Sequence, residues 1–170
     1  MPGAIMNRLT ADERTELARA LDRRPELLVV GRGPDGPVAI LRDVLAVRRP
    51  AGWQFVAWTD IQRGGWRAEP GELFWEMVDA STGAVRLASP GALPQAFAER
   101  VRASVVVQRQ LSLPGELGTV LLAGRREPGS DAAISWQAEG LGRCNLSDPA
   151  VQAHVVAAMA ELRAEFGPPA

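Results

Sequence analysis

Glu72-Leu73-Phe74-Trp75-Glu76-Met77-Val78-Asp79 is the stretch on which the fold turns. Successive side chains of a strand point to opposite faces. Here Leu73, Trp75 and Met77 share one face, while Glu72, Phe74, Glu76 and Val78 share the other. The alternation predicts a strand over 72–79 whose first face is turned to a core.

Outward from this run, between Glu26 and Ser89, short β-prone segments are separated by Gly33-Pro34-Asp35-Gly36-Pro37, Arg49-Pro50-Ala51-Gly52, Glu69-Pro70-Gly71-Glu72 and Ala80-Ser81-Thr82-Gly83. Such clusters are turns between antiparallel strands. The pattern predicts strands near 26–32, 38–42, 44–49, 53–61, 65–68, 72–79 and 84–88.

The flanks change period. Residues 1–8 are read as a loose start, after which Thr10 and Glu13 form a capping box for a helix ending near Leu21, before Pro25. After Pro90, Leu93, Phe97, Val101 and Val105 recur every fourth residue and predict a helix through about Gln108, laid across the sheet. Segments near 117–126 and 132–138, joined by Glu127-Pro128-Gly129-Ser130-Asp131, predict a second hairpin. Asp148 and Pro149 open a closing helix that Gly167 and Pro168 stop, with Val151, Val155, Met159, Leu162 and Phe166 along one stripe. No linker or repeat interrupts the chain, so a single α+β domain over 9–167 is expected, with strands and helix over 26–109 and an extension over 110–167.

Composition narrows the chemistry. A chain of 170 residues, 46% hydrophobic and 23% charged, is that of an ordinary globular protein. At this size it can bury roughly two thirds of the surface its unfolded form exposes. With 19 basic and 20 acidic side chains it has no general attraction for nucleic acid or an anionic membrane, and no nucleic-acid partner is expected. Lysine is absent, which removes Schiff-base chemistry, a P-loop lysine and a lysine general base. Cys144 is the sole cysteine, and neither a secretory signal nor a membrane-spanning apolar run is evident, so a cytoplasmic protein is expected.

An antiparallel meander of seven short strands followed by a helix resembles the pleckstrin-homology-like (PH-like) fold, a bent sheet or half-barrel with packing helices. Trp58-Thr59-Asp60-Ile61 resembles the Trp-x-x-Ile step of bacterial PH-like proteins. The run Arg100-Val101-Arg102-Ala103-Ser104-Val105-Val106-Val107-Gln108-Arg109 is similar to a segment in a group of actinobacterial proteins of similar length and unknown activity. The likeness covers about residue 26 to the end and implies a PH-like sheet extended by a C-terminal hairpin and closing helix. Many eukaryotic PH domains bind phosphoinositides through basic residues at the first hairpin loop. Here that loop is Gly33-Pro34-Asp35-Gly36-Pro37, only flanked by Arg32 and Arg42, so phosphoinositide recognition is not expected.

Gly31-Arg32-Gly33-Pro34-Asp35-Gly36 satisfies G-x-G-x-x-G, but a β-prone run follows it where a dinucleotide site needs a helix. A hairpin turn is the better reading. His154 and Cys144 form no recognisable triad, and one of each cannot make a structural zinc site. Glu72 and Glu76 share a strand face, yet four strand residues span roughly 13 Å, too far for a glycosidase pair. Outer-face charges suit them better, and Ser130 and Asp131 suit a turn.

What remains is a binding reading. Arg48 with Arg49, and Arg125 with Arg126, stand at strand ends and would form an anion site if the pairs converged. Gly64 and Gly65 precede Trp66 and suggest a bulge that turns this side chain outward between Arg63 and Arg67, as at an interface centre; the alternative is that Trp66 fills the core. The sequence thus predicts a non-enzymatic module that binds a protein partner or itself as a homo-oligomer. A small-molecule or anion-binding protein and an enzyme of unrecognised class are the alternatives. No catalytic, cofactor or metal residue is assigned. The candidate contacts are Arg48, Arg49, Arg63, Trp66, Arg67, Arg125 and Arg126.

Overall fold

The structure, a computed structural model, describes residues 7–167. Most of the loose start over residues 1–8, and Pro168, therefore lie outside the described residues. The elements are α1 (Ala11–Leu21), β1 (Leu27–Gly33), β2 (Gly36–Leu41), β3 (Val44–Arg49), β4 (Gly52–Ala57), a 3-10 turn (Trp58–Asp60), β5 (Ile61–Arg67), β6 (Glu72–Met77), β7 (Thr82–Arg86), α2 (Leu93–Ala103), β8 (Val105–Ser112), β9 (Thr119–Arg125), β10 (Ser135–Leu141) and α3 (Pro149–Phe166). Among the described residues these make an α+β chain of three helices and three antiparallel sheets, ordered β1-β2-β3-β4, β5-β6-β7 and β10-β9-β8. None of the sheets closes into a barrel. Where one domain over 9–167 with a seam near 109 was expected, the chain packs as two compact units. The first runs to Ser104 and includes Glu127–Gly129; the second takes Val105–Arg126 and Ser130 onward.

The first unit is built on a four-stranded sheet buried on both faces. In β2, Val38 and Ile40 enter one core and Ala39 and Leu41 a second; in β3, Leu45 and Val47 divide from Ala46 in the same way. A strand covered on both sides reads as continuous apolar sequence, which is why Val38-Ala39-Ile40-Leu41 does not alternate. The first core also takes Leu73 and Trp75 from β6, Val85 from β7, and Leu93 and Phe97 from α2. Trp58 is fully buried there, its ring centroid 5.8 Å from that of Phe97 in an edge-to-face contact, and its Nε1 donates to the carbonyl of Leu41 at 3.2 Å. On the far face, Leu17 of α1 lies over the small Ala39 and Ala46.

Local signals explain the joints. Thr10 and Glu13 make the expected capping box, with Thr10 N donating to Glu13 Oε2 at 2.8 Å and Glu13 N to Thr10 Oγ1 at 3.2 Å. The G-x-G-x-x-G run is a hairpin: Gly33 pairs with Gly36 across Pro34-Asp35, and Gly36 takes φ 131°.

Three sequence expectations are corrected. The strand foreseen over 53–61 is broken by the 3-10 turn that tucks Trp58 into the core. The irregularity in β5 falls between Ile61 and Arg63, not at Gly64-Gly65, so alternation carries Trp66 inward to pack against the first core. The helix expected through Gln108 stops at Ala103. Ser104 caps it, its N–H bonding to Arg100 O at 3.1 Å and its hydroxyl to Val101 O at 2.6 Å, and the β-branched Val105-Val106-Val107 then starts β8.

The second unit is the β10-β9-β8 sheet with α3. The hairpin pairs Arg125 with Ser135 and Thr119 with Leu141, and β8 supplies a third strand that the sequence reading took partly as helix. Asp148 caps α3 through Ala150 N at 2.8 Å, and Gly167 N closes the helix on Arg163 O at 2.8 Å. Val151, Met159 and Leu162 are buried against Val120 and Leu122, with Val155 and Phe166 half-buried beside them. The expected stripe is therefore the packing face of α3.

Candidate functional site

Most of the predicted contact residues already have partners within their own unit. Arg48 meets Glu16 at 3.1 Å. Arg49 Nε donates to Gln54 Oε1 and Nη2 to the carbonyl of Ala84, both at 2.9 Å, tying β3 to β7. On the outer face of the β5-β6-β7 sheet, Arg63 pairs with Glu76 and Arg67 with Glu72, each at 2.7 Å, on either side of Phe74. The Arg67 guanidinium also lies 3.9 Å from the Phe74 ring centroid. Glu72 and Glu76 are thus outer-face charges. Asp79 accepts from Ser81 N and Oγ, and these bonds hold its carboxyl below the usual carboxylate range.

Arg125 and Arg126 belong to the second unit, Arg48 and Arg49 to the first. Neighbouring strand residues face opposite ways, and the arginines of the second pair have unlike surroundings. Arg125 is buried, its Nε 3.0 Å from Gln137 Oε1, and burial lowers its pKa against the opposing influence of Glu139. Arg126 instead lines a cleft of about 680 Å3. That volume lies within the range of small-molecule sites, roughly 300–1,000 Å3.

The cleft is formed where β9 ends, where the loop returns to β10, and where α3 stops. Ile134 and Trp136 give it one apolar wall and Phe166 another, with Arg126, Arg163 and Asp131 as its charges. The apolar wall depends on Gly124. A Cβ there would stand 2.9 Å from both Ile134 Cγ2 and Trp136 Cζ3, so only a bare backbone lets these side chains lie down over β9. Phe166 and Arg163, three residues apart near the end of α3, both reach the cleft. Among the described residues no ion pair joins Arg126 or Arg163 to a carboxylate.

Sequence reasoning found Arg126 but missed Arg163, Trp136 and Phe166. Arg163 was one charge on a helix otherwise read for its apolar stripe, and Phe166 was assigned to that stripe. The hairpin turn residue Asp131 does reach the cleft.

Of the groups weighed for catalysis, Glu72 and Glu76 lie in the first unit and Cys144 and His154 in the second. His154 is exposed on α3, while Cys144 is half-buried in the core, pressed by Gly118 and Gly140. Among the described residues no three His, Cys, Asp or Glu side chains gather as a metal site would require, and no helix is long and apolar enough to cross a membrane. Comparison of the chain with protein-family models, with curated proteins and with solved structures finds no match.

Proposed function

We propose that this chain is a non-enzymatic binding protein, with a PH-like scaffold as its first unit and a small-molecule cleft in its second. The cleft carries the reading: it combines apolar walls with two guanidinium groups that have no carboxylate partner among the described residues. The other predicted contacts spend their charge internally, as Arg63 does on Glu76 and Arg67 on Glu72. The order of seven strands and a helix supports the PH-like assignment, and the single cysteine supports a reducing compartment such as the cytoplasm.

A thermal-shift screen of small organic compounds tests the reading. Some compounds should raise the melting temperature of the parent, and Ala133→Trp, which fills the cleft from an exposed loop position, should abolish those shifts. Shifts that persist in Ala133→Trp would place binding elsewhere.

A second reading, binding of a protein partner or a second copy, is favoured by Val156, 68% exposed on α3 beside an apolar hollow that Ala138, Leu146 and Val155 help to line. Sedimentation velocity across a concentration series tests self-association. A dimer that Val156→Glu dissociates would support it, and a monomer at all concentrations would remove it.

A further inference from the structure

Resting on the proposal that the second-unit cleft binds a small molecule, we infer that its ligand is an amphipathic monoanion: a flat apolar body carrying one carboxylate or sulfonate. The charge count sets the valence. Arg126 and Arg163 contribute two positive charges and Asp131 one negative, so the lining is balanced by a single anionic group. A dianion would meet the Asp131 carboxylate and the carbonyl end of α3, whose partial negative charge lies in its last turn at Phe166.

Guanidinium groups favour carboxylate and sulfonate because their planar N–H donors match two oxygens at once. The walls choose the remainder of the ligand. Trp136 offers an indole and Phe166 a phenyl ring, surfaces on which a flat apolar body packs with little loss of side-chain freedom. A hydrated inorganic ion would leave both rings facing water. Inorganic phosphate should therefore bind far more weakly than an aromatic acid.

A charge series on one ring system tests this. Binding of 2-naphthoate, 2-naphthamide, 2-naphthylmethylamine, naphthalene-2,6-dicarboxylate and inorganic phosphate would be measured by calorimetry on the full chain. The parent should bind 2-naphthoate about ten-fold or more tighter than the amide, as expected when a charge-assisted hydrogen bond is lost. The amine, the dicarboxylate and phosphate should be weaker still. Arg126→Gln and Arg163→Gln should each lower 2-naphthoate affinity by about ten-fold and leave the amide unchanged, with melting temperatures near that of the parent.

If the amide or amine binds as well as the acid and Ala133→Trp still blocks all three, the monoanion assignment is wrong while the cleft reading stands. If Ala133→Trp leaves 2-naphthoate binding intact, the cleft reading itself fails. Absence of 2-naphthoate binding at millimolar concentration also overturns the monoanion.

Discussion

Gly83 lies flat against the indole of Trp75: a Cβ placed on this glycine would stand 2.3 Å from the ring. The two residues are directly paired between β7 and β6, and Trp75 is 2% exposed, so the ring has little room to retreat. Gly83→Ala should therefore cost about 1–3 kcal/mol through overpacking. Gly65→Ala, whose Cβ would meet Phe74 at an ordinary 3.4 Å, provides a control in the same sheet and should cost clearly less. Chemical denaturation of the two variants checks the contrast, and equal losses would mean that the indole yields.

The closing helix is structural. Met159 is buried among Val120, Leu122 and Leu162, and Met159→Asp would place an unpaired carboxylate in that core. A loss of about 3 kcal/mol or more is expected, read as a large fall in melting temperature. A variant that melts like the parent would show that α3 does not pack through this stripe.

Glu13 links stability to acid. Its carboxylate caps α1 through Thr10 N and also receives the Arg32 guanidinium, with Nη2 3.0 Å from Oε2. The Arg32 hydrogen bond is the largest cause of a folded-state pKa below the ordinary glutamate value, and the Thr10 bonds add to it. A depressed pKa gives stability that is present above the unfolded-state value and lost as pH falls through the folded one. Glu13→Gln should be about 1 kcal/mol less stable than the parent at neutral pH. The gap should begin to close below about pH 5 and go on shrinking as pH falls through the lowered folded-state value. Parallel melting curves across that range check the sign; a gap that widens in acid would contradict it.

Cys144→Ser and His154→Gln should retain the binding of 2-naphthoate within about two-fold, since neither residue lines the cleft. Loss of binding in either variant, with melting temperature preserved, would reopen the enzymatic reading.

Strand order, capping box and closing helix were legible because each is a local signal. Period-two alternation in Leu73-Phe74-Trp75, the Thr10–Glu13 spacing and the Asp148-Pro149 start need no distant partner to be read. The fate of residues 104–108 was not legible from the apolar period alone, since Val105 continues the stripe of α2. The outcome turns on the capping bonds of Ser104 and on β-branched residues finding β9. The cleft was less legible still. Arg126 and Arg163 are 37 positions apart in sequence, and only the packing of α3 brings them to one cleft. Conversely, Arg63 and Arg67, which looked available, are paired with Glu76 and Glu72 across the β5-β6 strand pair.

The tripeptide Glu127–Gly129 belongs to the first unit although the residues on either side of it belong to the second. Gly129 there gives its carbonyl to Arg42 Nη2 at 2.8 Å, and Pro128 is buried. The backbone therefore crosses the seam three times, after Ser104, after Arg126 and again after Gly129. Such a protein is stitched rather than strung: a single cut at Ser104 yields one piece lacking its last stitch and another carrying a loose thread beside Arg126 and Asp131. Neither half is a faithful copy of the unit it came from.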